Sequence, residues 1–358
     1  MVALFIFAFG CVPETVDLSA DKLLELRAPP ESLIDGDGQY QGGWFDGPID
    51  VLNLDDADAP EGDRKRFLHL TIDDPDWYVV ANIADLNTAS NVALLAVDKA
   101  SGELHDVSLT ALFDDNKVEV DEAHTTFFDP NTGSTLTLGE DGSFVADVHA
   151  GPLSLEGEAY PIFALPFYQV TRFHEGHGSY QTWGNLKVQD MVLSIHDKKH
   201  HLQPGAYAGY DRTLGHQRHE QNWNWISAQG LATEVETGLV FPFSLILGED
   251  REEARPFVDA KKHPVWVGDD YGKIDEVRFA YTKDEDTAET SDWTITGTGL
   301  DLAFVPQNHR RDLTGEAWLA ETDFNQYYGT LSGTFTLNER VYEIREVFAV
   351  TEDSLIRL

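Results

Sequence analysis

The chain has very little cysteine and few positive charges. Among its 358 residues there is one cysteine, Cys11, and 25 Lys plus Arg stand against 63 Asp plus Glu, a formal net charge of −38. A single cysteine excludes an intrachain disulfide and a zinc or iron–sulfur site built from cysteines. The shortage of cations argues against nucleic acid as a partner, because phosphate binding needs clustered Lys and Arg.

Sequence motifs of several common enzyme classes are also missing. There is no Gly-x-Ser-x-Gly nucleophile turn, no phosphate-binding P-loop, and no Gly-x-Gly-x-x-Gly after a strand. Acyl transfer, nucleotide hydrolysis and dinucleotide-dependent redox chemistry are therefore disfavoured. We predict no cofactor.

Histidine is concentrated in one part of the chain, but its spacing does not indicate a metal site. The side chains weighed as zinc ligands are His196, His200, His201, His216 and His219, with Asp190, Asp197 or Asp211. No His-Glu-x-x-His motif occurs among them, and the stretch 196–205 is typical of a polar linker. We predict no metal site.

Short apolar or alternating stretches, separated by Gly, Asn, Asp and Pro, recur along the whole chain. This pattern is typical of β-strands and turns, and patterns typical of long helices are scarce. The predicted strands are 66–72, 77–86, 91–98, 103–113, 134–138, 144–149, 153–160, 185–195, 222–228, 238–247, 264–267, 274–281, 293–305, 324–337 and 341–350. The sequence therefore predicts an all-β protein with little helix.

The length favours two domains, because a single core rarely grows to 358 residues. The polar stretch 196–205, which ends in Pro204-Gly205, separates two strand-rich halves. We place β domains at 31–200 and 201–358, after a signal-like segment at 1–11 and a linker at 12–30.

The N-terminal residues 1–10 form an unbroken apolar run that is too short to span a bilayer. The last three residues of this run and the next residue, Ala8-Phe9-Gly10-Cys11, resemble the lipobox of bacterial lipoproteins, in which the cysteine is diacylated. This resemblance implies lipidation of Cys11 and a lipid-anchored place in the bacterial cell envelope. A conventional secretory signal, with a periplasmic protein, and a cytoplasmic apolar N-terminus are the alternatives.

Three blocks of sequence resemble one bacterial family, the domain of unknown function numbered 2804. The first block spans 64–87 and 94–102. In the second block, 210–215, Arg218 and 223–230 are similar to the family's Asp-x-Thr-x-Gly, Arg and Trp-x-Trp-Ala signature. The third block comprises 304–306, 324–333 and 350–353 and is similar to its Gln-x-x-Gly, Ser-Gly and Glu-Asp elements.

This resemblance covers about residues 30–358 and implies a fold. The family is similar to a wider group of two-barrel, lipocalin-like proteins that includes hydroxyneurosporene synthase, a carotenoid hydratase, and tocopherol cyclase. It implies two tandem lipocalin-like antiparallel barrels or half-barrels. The ligands implied are apolar, isoprenoid-like molecules.

Two pairs of side chains are candidates for a ligand site. Residues i and i+2 share one face of a strand, so Trp223 and Trp225 lie side by side, as do Gln326 and Tyr328. The first pair lines a barrel cavity or packs between the barrels. Candidate ligand-binding residues are Tyr210, Asp211, Arg218, Trp223, Trp225, Gln326 and Tyr328.

Glu352 is a weak candidate for a catalytic acid. A buried carboxyl has a raised pKa and can protonate an alkene or a carbonyl. The alternative is a solvated pair between Glu352 and Arg345 or Arg357.

Two functions remain open from the sequence. The first is binding or shuttling of an apolar small molecule in a barrel cavity at the envelope. The second is a cofactor-independent hydratase, cyclase or isomerase acting on an isoprenoid-like substrate. A purely structural role is a further possibility.

Overall fold

Strands dominate the computed structural model of the chain. It describes residues 26–87, 89–112, 118–121, 125–163, 166–173, 175–217, 220–251, 263–316 and 320–357. Strands make up 69% of the structure, and the described part contains no α-helix, only single 3-10 turns at Leu54–Asp56 and Glu61–Asp63. The prediction of an all-β protein built from two antiparallel half-barrels is confirmed.

Within the described residues, 15 strands form the first sheet. They are β1 (Leu26–Arg27), β2 (Gly43–Phe45), β3 (Arg64–Asp73), β4 (Trp77–Asp85), β5 (Ala89–Asp98), β6 (Leu104–Leu112), β7 (Glu119–Asp121), β8 (Thr126–Asp129), β9 (Ser134–Leu138), β10 (Phe144–Ala150), β11 (Leu153–Pro161), β12 (Phe167–Arg172), β13 (Gly178–Ile195), β14 (Lys198–Leu202) and β15 (Tyr207–His216). The main path runs β6-β5-β4-β3-β15-β13-β11-β10-β9-β8-β7.

The second sheet has nine strands in the described part of the chain. They are β16 (Glu220–Glu234), β17 (Val240–Asp250), β18 (Pro264–Val267), β19 (Asp270–Lys273), β20 (Arg278–Ala280), β21 (Trp293–Gly297), β22 (Leu300–Glu316), β23 (Ala320–Leu337) and β24 (Arg340–Arg357). Their order is β19-β18-β17-β16-β24-β23-β22-β21-β20, so β24 lies in the middle.

Each sheet curls around its own apolar core. In β10, for example, Phe144, Ala146 and Val148 are buried and alternate with exposed residues, which is the pattern of a strand with one face on a core. Register shifts in the ladders, such as the one at Pro306/Asn308 in β22, bend the long strands. Leu70 and Tyr210 belong to the first core and Ile226 and Leu302 to the second.

The two half-barrels pack against each other through their outer faces, the faces that point away from these cores. One contact cluster joins Tyr78, Val80, Leu95 and Val97 of the first sheet to Tyr328, Phe348 and Val350 of the second. Another joins Trp44, Phe167 and Trp183 to Ile246 and Trp266. We call them the Tyr78 cluster and the Trp44 cluster. Strands at this junction are therefore buried on both faces.

The chain passes from the first sheet to the second between His216 and Glu220. The stretch 196–205, interpreted above as a linker, instead forms the hairpin of β13 with β14 and the turn into β15. Polar residues occur here because the hairpin is at the surface, with Lys198 and Lys199 exposed. The division into domains at residue 200 stays a prediction.

Gly184 on β13 provides a test of packing in the first core. A Cβ at this position would overlap the ring of Tyr210 on the neighbouring strand. We expect Gly184→Ala to lower the free energy of unfolding by about 1–3 kcal/mol, because overpacking displaces a buried ring. Urea denaturation measures the change, and Gly36→Ala is the control, since no atom lies within 4 Å of its Cβ position. Equal stability of the two variants would contradict this packing.

Candidate functional site

A row of side chains crosses the outer face of the second sheet. Arg310 on β22 is opposite Gln326 on β23, Gln326 is opposite Glu352 on β24, and Glu352 is opposite Trp225 on β16. Directly opposed residues of antiparallel strands point to the same face of the sheet. This face is the one that contacts the first half-barrel.

Glu352 is held by two neutral donors, one on each carboxyl oxygen. The indole Nε1 of Trp223 donates to Oε2 at 2.9 Å, and the amide Nε2 of Gln326 donates to Oε1 at 2.8 Å. The hydroxyl of Tyr328 in turn donates to Oε1 of Gln326 at 2.8 Å. Four side chains from three strands thus form one hydrogen-bond chain that fixes the carboxyl.

The surroundings of Glu352 favour the protonated carboxyl. Burial is the main cause that raises its pKa, and the nearby charge of Asp211 adds to it, whereas the two donors and the charge of Arg310 act in the opposite direction. Arg310 is itself bound to Asp106 of the first sheet at 2.8 Å and to Asp312 at 3.2 Å. The positive charge of Arg310 is therefore largely balanced by these two aspartates and not by Glu352.

The first sheet presents His69, Asp211 and Trp183 to this row. They are at directly opposed positions on β3, β15 and β13, so their side chains share the outer face. The His69 ring meets the Trp225 ring edge-on, with centroids 6.5 Å apart. Burial lowers the pKa of His69 to about 4, so the imidazole is neutral at neutral pH.

The Tyr78 and Trp44 clusters flank this polar centre, and Trp225 contacts both. The ring centroids of Tyr78 and Tyr328 are 6.3 Å apart, and those of Tyr78 and Phe348 are 5.1 Å apart. Burial raises the pKa of both tyrosines, which keeps their hydroxyls protonated. The centre is therefore a few polar groups within aromatic walls, the usual composition of a small-molecule site.

Two clefts open in the described part of the molecule, and neither is lined by Glu352, Gln326 or Trp225. A cleft of about 460 Å³ opens between the sheets, with Asp73, Lys99 and Tyr207 on one side and Phe348 on the other. A larger cleft of about 1000 Å³ lies on the inner face of the second sheet. Its charges largely pair with one another, as in the ion pairs of Lys283 with Asp353 (2.7 Å) and Arg311 with Asp323 (3.0 Å). The first cleft meets the Tyr78 cluster at Phe348, and we take the adjoining region between the sheets as the candidate site.

Most of the residues proposed from the sequence meet at this centre. Those brought together are Asp211, Trp223, Trp225, Gln326, Tyr328 and Glu352. Tyr210 is not among them: it points into the first core and packs against Phe144. Arg218 and Cys11 lie outside the described residues.

The solvated pair considered for Glu352 is not what the structure has. Arg345 binds Glu343 at 2.7 Å and Arg357 binds Glu220 at 3.0 Å. Both arginines are on the same strand as Glu352, and each is bound to another carboxylate. Glu352 turns instead towards the neutral donors.

His69, Trp183 and Arg310 were not predicted from the sequence. His69 and Trp183 lie on strands that are largely buried on both faces, where polar and apolar residues do not alternate simply. Arg310 lies on β22, beyond the stretch 300–305 in which buried and exposed residues alternate. A signal was nevertheless present in β3, because His69 is polar in a stretch of buried aliphatic residues.

In the described part of the chain, no three His, Cys, Asp or Glu side chains are grouped to hold a metal ion. Nor does this part contain a helix of the length and apolarity needed to cross a membrane.

The low pKa of His69 predicts how the stability of the protein changes with pH. Between pH 6.5 and about 4 the unfolded chain binds a proton at this residue and the native state does not, so stability falls as the pH falls. We expect the wild-type protein to lose roughly 2 kcal/mol more than His69→Asn between pH 7 and pH 4.5. Urea denaturation at the two pH values measures this, with exposed His201→Asn as the control. Identical pH dependence of wild type and His69→Asn would refute it.

Comparisons with known proteins were made for the whole chain. Two solved structures are similar to it, each 14% identical: kievitone hydratase from Nectria haematococca (TM-score 0.49, 82% of this chain and 88% of that one) and a putative AttH from Nitrosomonas europaea (TM-score 0.48, 92% and 99%). No curated protein matches. The family model described as domain of unknown function DUF2804 matches residues 171–358, more than half of the chain. The protein therefore belongs to the DUF2804 family, as its sequence motifs predicted.

Proposed function

We propose that the region between the half-barrels binds an apolar, unsaturated small molecule and that Glu352 transfers a proton to it. The protein would then be a cofactor-independent hydratase, cyclase or isomerase. The observation that carries this proposal is the carboxyl of Glu352, which is fixed by neutral donors among aromatic side chains and has a raised pKa.

The arrangement suits general acid catalysis. A raised pKa increases the fraction of the carboxyl that is protonated near neutral pH. Because the carboxyl is held in one position, its proton can be directed at one atom of a bound substrate. Proton transfer from Glu352 to a carbon–carbon double bond leaves a carbocation, which the faces of Trp225 and Trp223 can stabilise by cation–π attraction. In a hydration, water then adds its oxygen to the cation and returns one proton to the Glu352 carboxylate. In an isomerisation, loss of a neighbouring proton to the Glu352 carboxylate completes the reaction. In a cyclisation, a second double bond of the substrate attacks the cation and closes the ring, and the new cation then loses a proton to the same carboxylate.

The facing surfaces of the sheets carry polar atoms that suit a bound molecule or water. The side-chain Nδ2 of Asn185 and Oε1 of Gln229 are buried and have no hydrogen-bond partner among the described residues. Gly209 brings these surfaces together, since a Cβ there would lie 2.7 Å from Nε2 of Gln229. Buried polar atoms are normally paired. Their presence on this junction supports a ligand-binding space better than a dry core.

A second candidate function is carriage of an apolar molecule without chemistry. The aromatic walls on both sides of Trp225 favour binding by themselves. The lipobox-like sequence ending at Cys11 favours attachment to the envelope membrane, where such molecules are found.

Glu352→Gln tests the catalytic proposal, because it keeps the shape and removes the acid. Isoprenoid alkenes, beginning with geranylgeraniol, are incubated with the protein in deuterium oxide, and mass spectrometry measures deuterium in substrate and product. We expect wild-type incorporation and a loss of roughly 100-fold or more in the variant, the usual contribution of general acid–base catalysis. Quenching of tryptophan emission by the alkene should change little.

The matched control is Glu343→Gln on the same strand, which removes a carboxyl that pairs with Arg345. It should leave incorporation unchanged. Incorporation at the wild-type rate in Glu352→Gln would exclude this residue as the acid. Tight alkene binding with no incorporation in the wild type would instead favour the carrier.

The proposed lipid anchor predicts membrane association in a bacterial host. An acylated Cys11 should place the protein in a membrane fraction that detergent releases and salt does not, because acyl chains bind by apolar contact. Cys11→Ser should move it to the soluble fraction. Release of the wild type by salt alone, or a mature chain that retains Met1, would rule out the anchor.

A further inference from the structure

The Trp44 cluster lies beside the site, and we call its closely packed rings, together with Tyr271, the aromatic box. Its ring centroids are close: 5.6 Å between Trp44 and Phe167, and 5.1 Å between Phe167 and Trp183. From the second sheet, Tyr271 meets Trp44 edge-on at 5.3 Å and stacks with Trp266 at 6.3 Å. Both half-barrels therefore contribute walls to the box.

A lysine ammonium lies against this box. The Nζ of Lys273 lies over the Trp44 ring, 5.6 Å from its centroid. It has no hydrogen-bond partner in the described part of the protein. Burial lowers the pKa of Lys273 to about 8, and the charge of Asp275 acts against this, so the amine is still mainly protonated at neutral pH.

Several half-buried cations of this acidic chain have carboxylate partners, whereas the buried Arg212 is bound to the hydroxyls of Thr125 and Thr182. Arg66 is bound to Asp85 at 2.5 Å, Lys283 to Asp353 at 2.7 Å, and Arg310 to Asp106 at 2.8 Å. With 63 acidic residues against 25 Lys and Arg, a carboxylate is easily supplied to a lysine. No ion pair of Lys273 with a carboxylate occurs among the described residues. A buried charge without a partner is costly unless something binds it.

Two further polar atoms on the facing surfaces of the sheets lack hydrogen-bond partners among the described residues. The indole Nε1 of Trp183 and the Oγ of Ser244 are both fully buried, and neither has a partner in the residues described. Trp183 belongs to the box, and Ser244 is opposite Trp266 in the β17–β18 ladder, so its side chain faces the same way. An ammonium, an indole N–H and a hydroxyl can all donate to an oxygen acceptor.

We propose that the ligand of this site carries an oxyanion, such as a carboxylate, and that Lys273 binds it within the Trp44 cluster. This inference rests on the proposed function, because the apolar body of the same ligand extends along Trp225 towards Glu352. Trp225 contacts both clusters and so connects the two ends. The substrate class is thus an amphipathic, unsaturated organic acid rather than a pure hydrocarbon.

Two fluorescent probes that differ by one group test the charge. Anilinonaphthalene sulfonate carries an oxyanion, and N-phenylnaphthylamine has the same rings without it. Titration of the full-length protein gives the affinity for each. We expect Lys273→Met to weaken sulfonate binding by roughly tenfold or more, the usual effect of losing a charged hydrogen bond, and to leave the neutral probe within about twofold.

Three variants keep the outcome interpretable. Lys273→Arg retains the charge and should keep the preference for the sulfonate, and Trp183→Phe should reduce it by roughly threefold, through loss of one neutral donor. Lys187→Met is the matched control, since its ammonium lies over the Tyr207 ring at 5.2 Å but outside the Trp44 cluster. It should change neither affinity.

The outcomes separate this inference from the function on which it rests. If both probes bind the wild type and sulfonate binding is insensitive to Lys273→Met, the oxyanion site is overturned, whereas the proposed apolar site between the half-barrels stands. Equal loss of both probes in Lys273→Met also overturns it, because a general packing defect then explains the change. No binding of either probe to the wild type overturns both proposals.

Discussion

The contact between the outer faces of two curled sheets determines the composition of this protein. A half-barrel that stood alone would expose one face of each strand to water and would carry charges there. Here the outer faces of β3, β4, β16 and β24 meet, so they must be apolar, aromatic or internally hydrogen-bonded. Glu352 is tolerated at the junction because Trp223 and Gln326 occupy both of its oxygens. The same burial gives the carboxyl its altered acidity.

More of the fold than of the site could be predicted from the sequence. The predicted bounds of 134–138 and 264–267 are those of β9 and β18, since turn residues flank the first, and the second begins with Pro264 and is followed by Gly268. The stretch 293–305 is two strands, because Gly299, with φ of 69°, allows a tight turn that hydrophobicity does not reveal. The strand β15 was missed because both of its faces are buried, which removes the alternation on which the prediction depends.

Residues of the site could be predicted where their spacing in the sequence places them on the same face of a strand. The i and i+2 pairs on β16 and β23 do share a face, and they meet because β24 pairs with both strands. Spacing does not say which face of a strand is the outer one. Tyr210 and Asp211 illustrate this: as neighbours they point in opposite directions, and only Asp211 reaches the junction. The contribution of His69 depends on contact between the sheets, which no local pattern encodes.

The position of β24 also bears on how the protein folds. Trp225 and Thr351 are hydrogen-bonded across β16 and β24 although 126 residues separate them in the sequence. Pairings this distant close large loops of chain, and topologies rich in them fold slowly. The strand that carries Glu352 is at the centre of its sheet, so β16 lacks one neighbour until this pairing forms. During that interval the aromatic outer face and an open strand edge are exposed together, which makes the unfinished second half-barrel the part of the molecule most prone to aggregation.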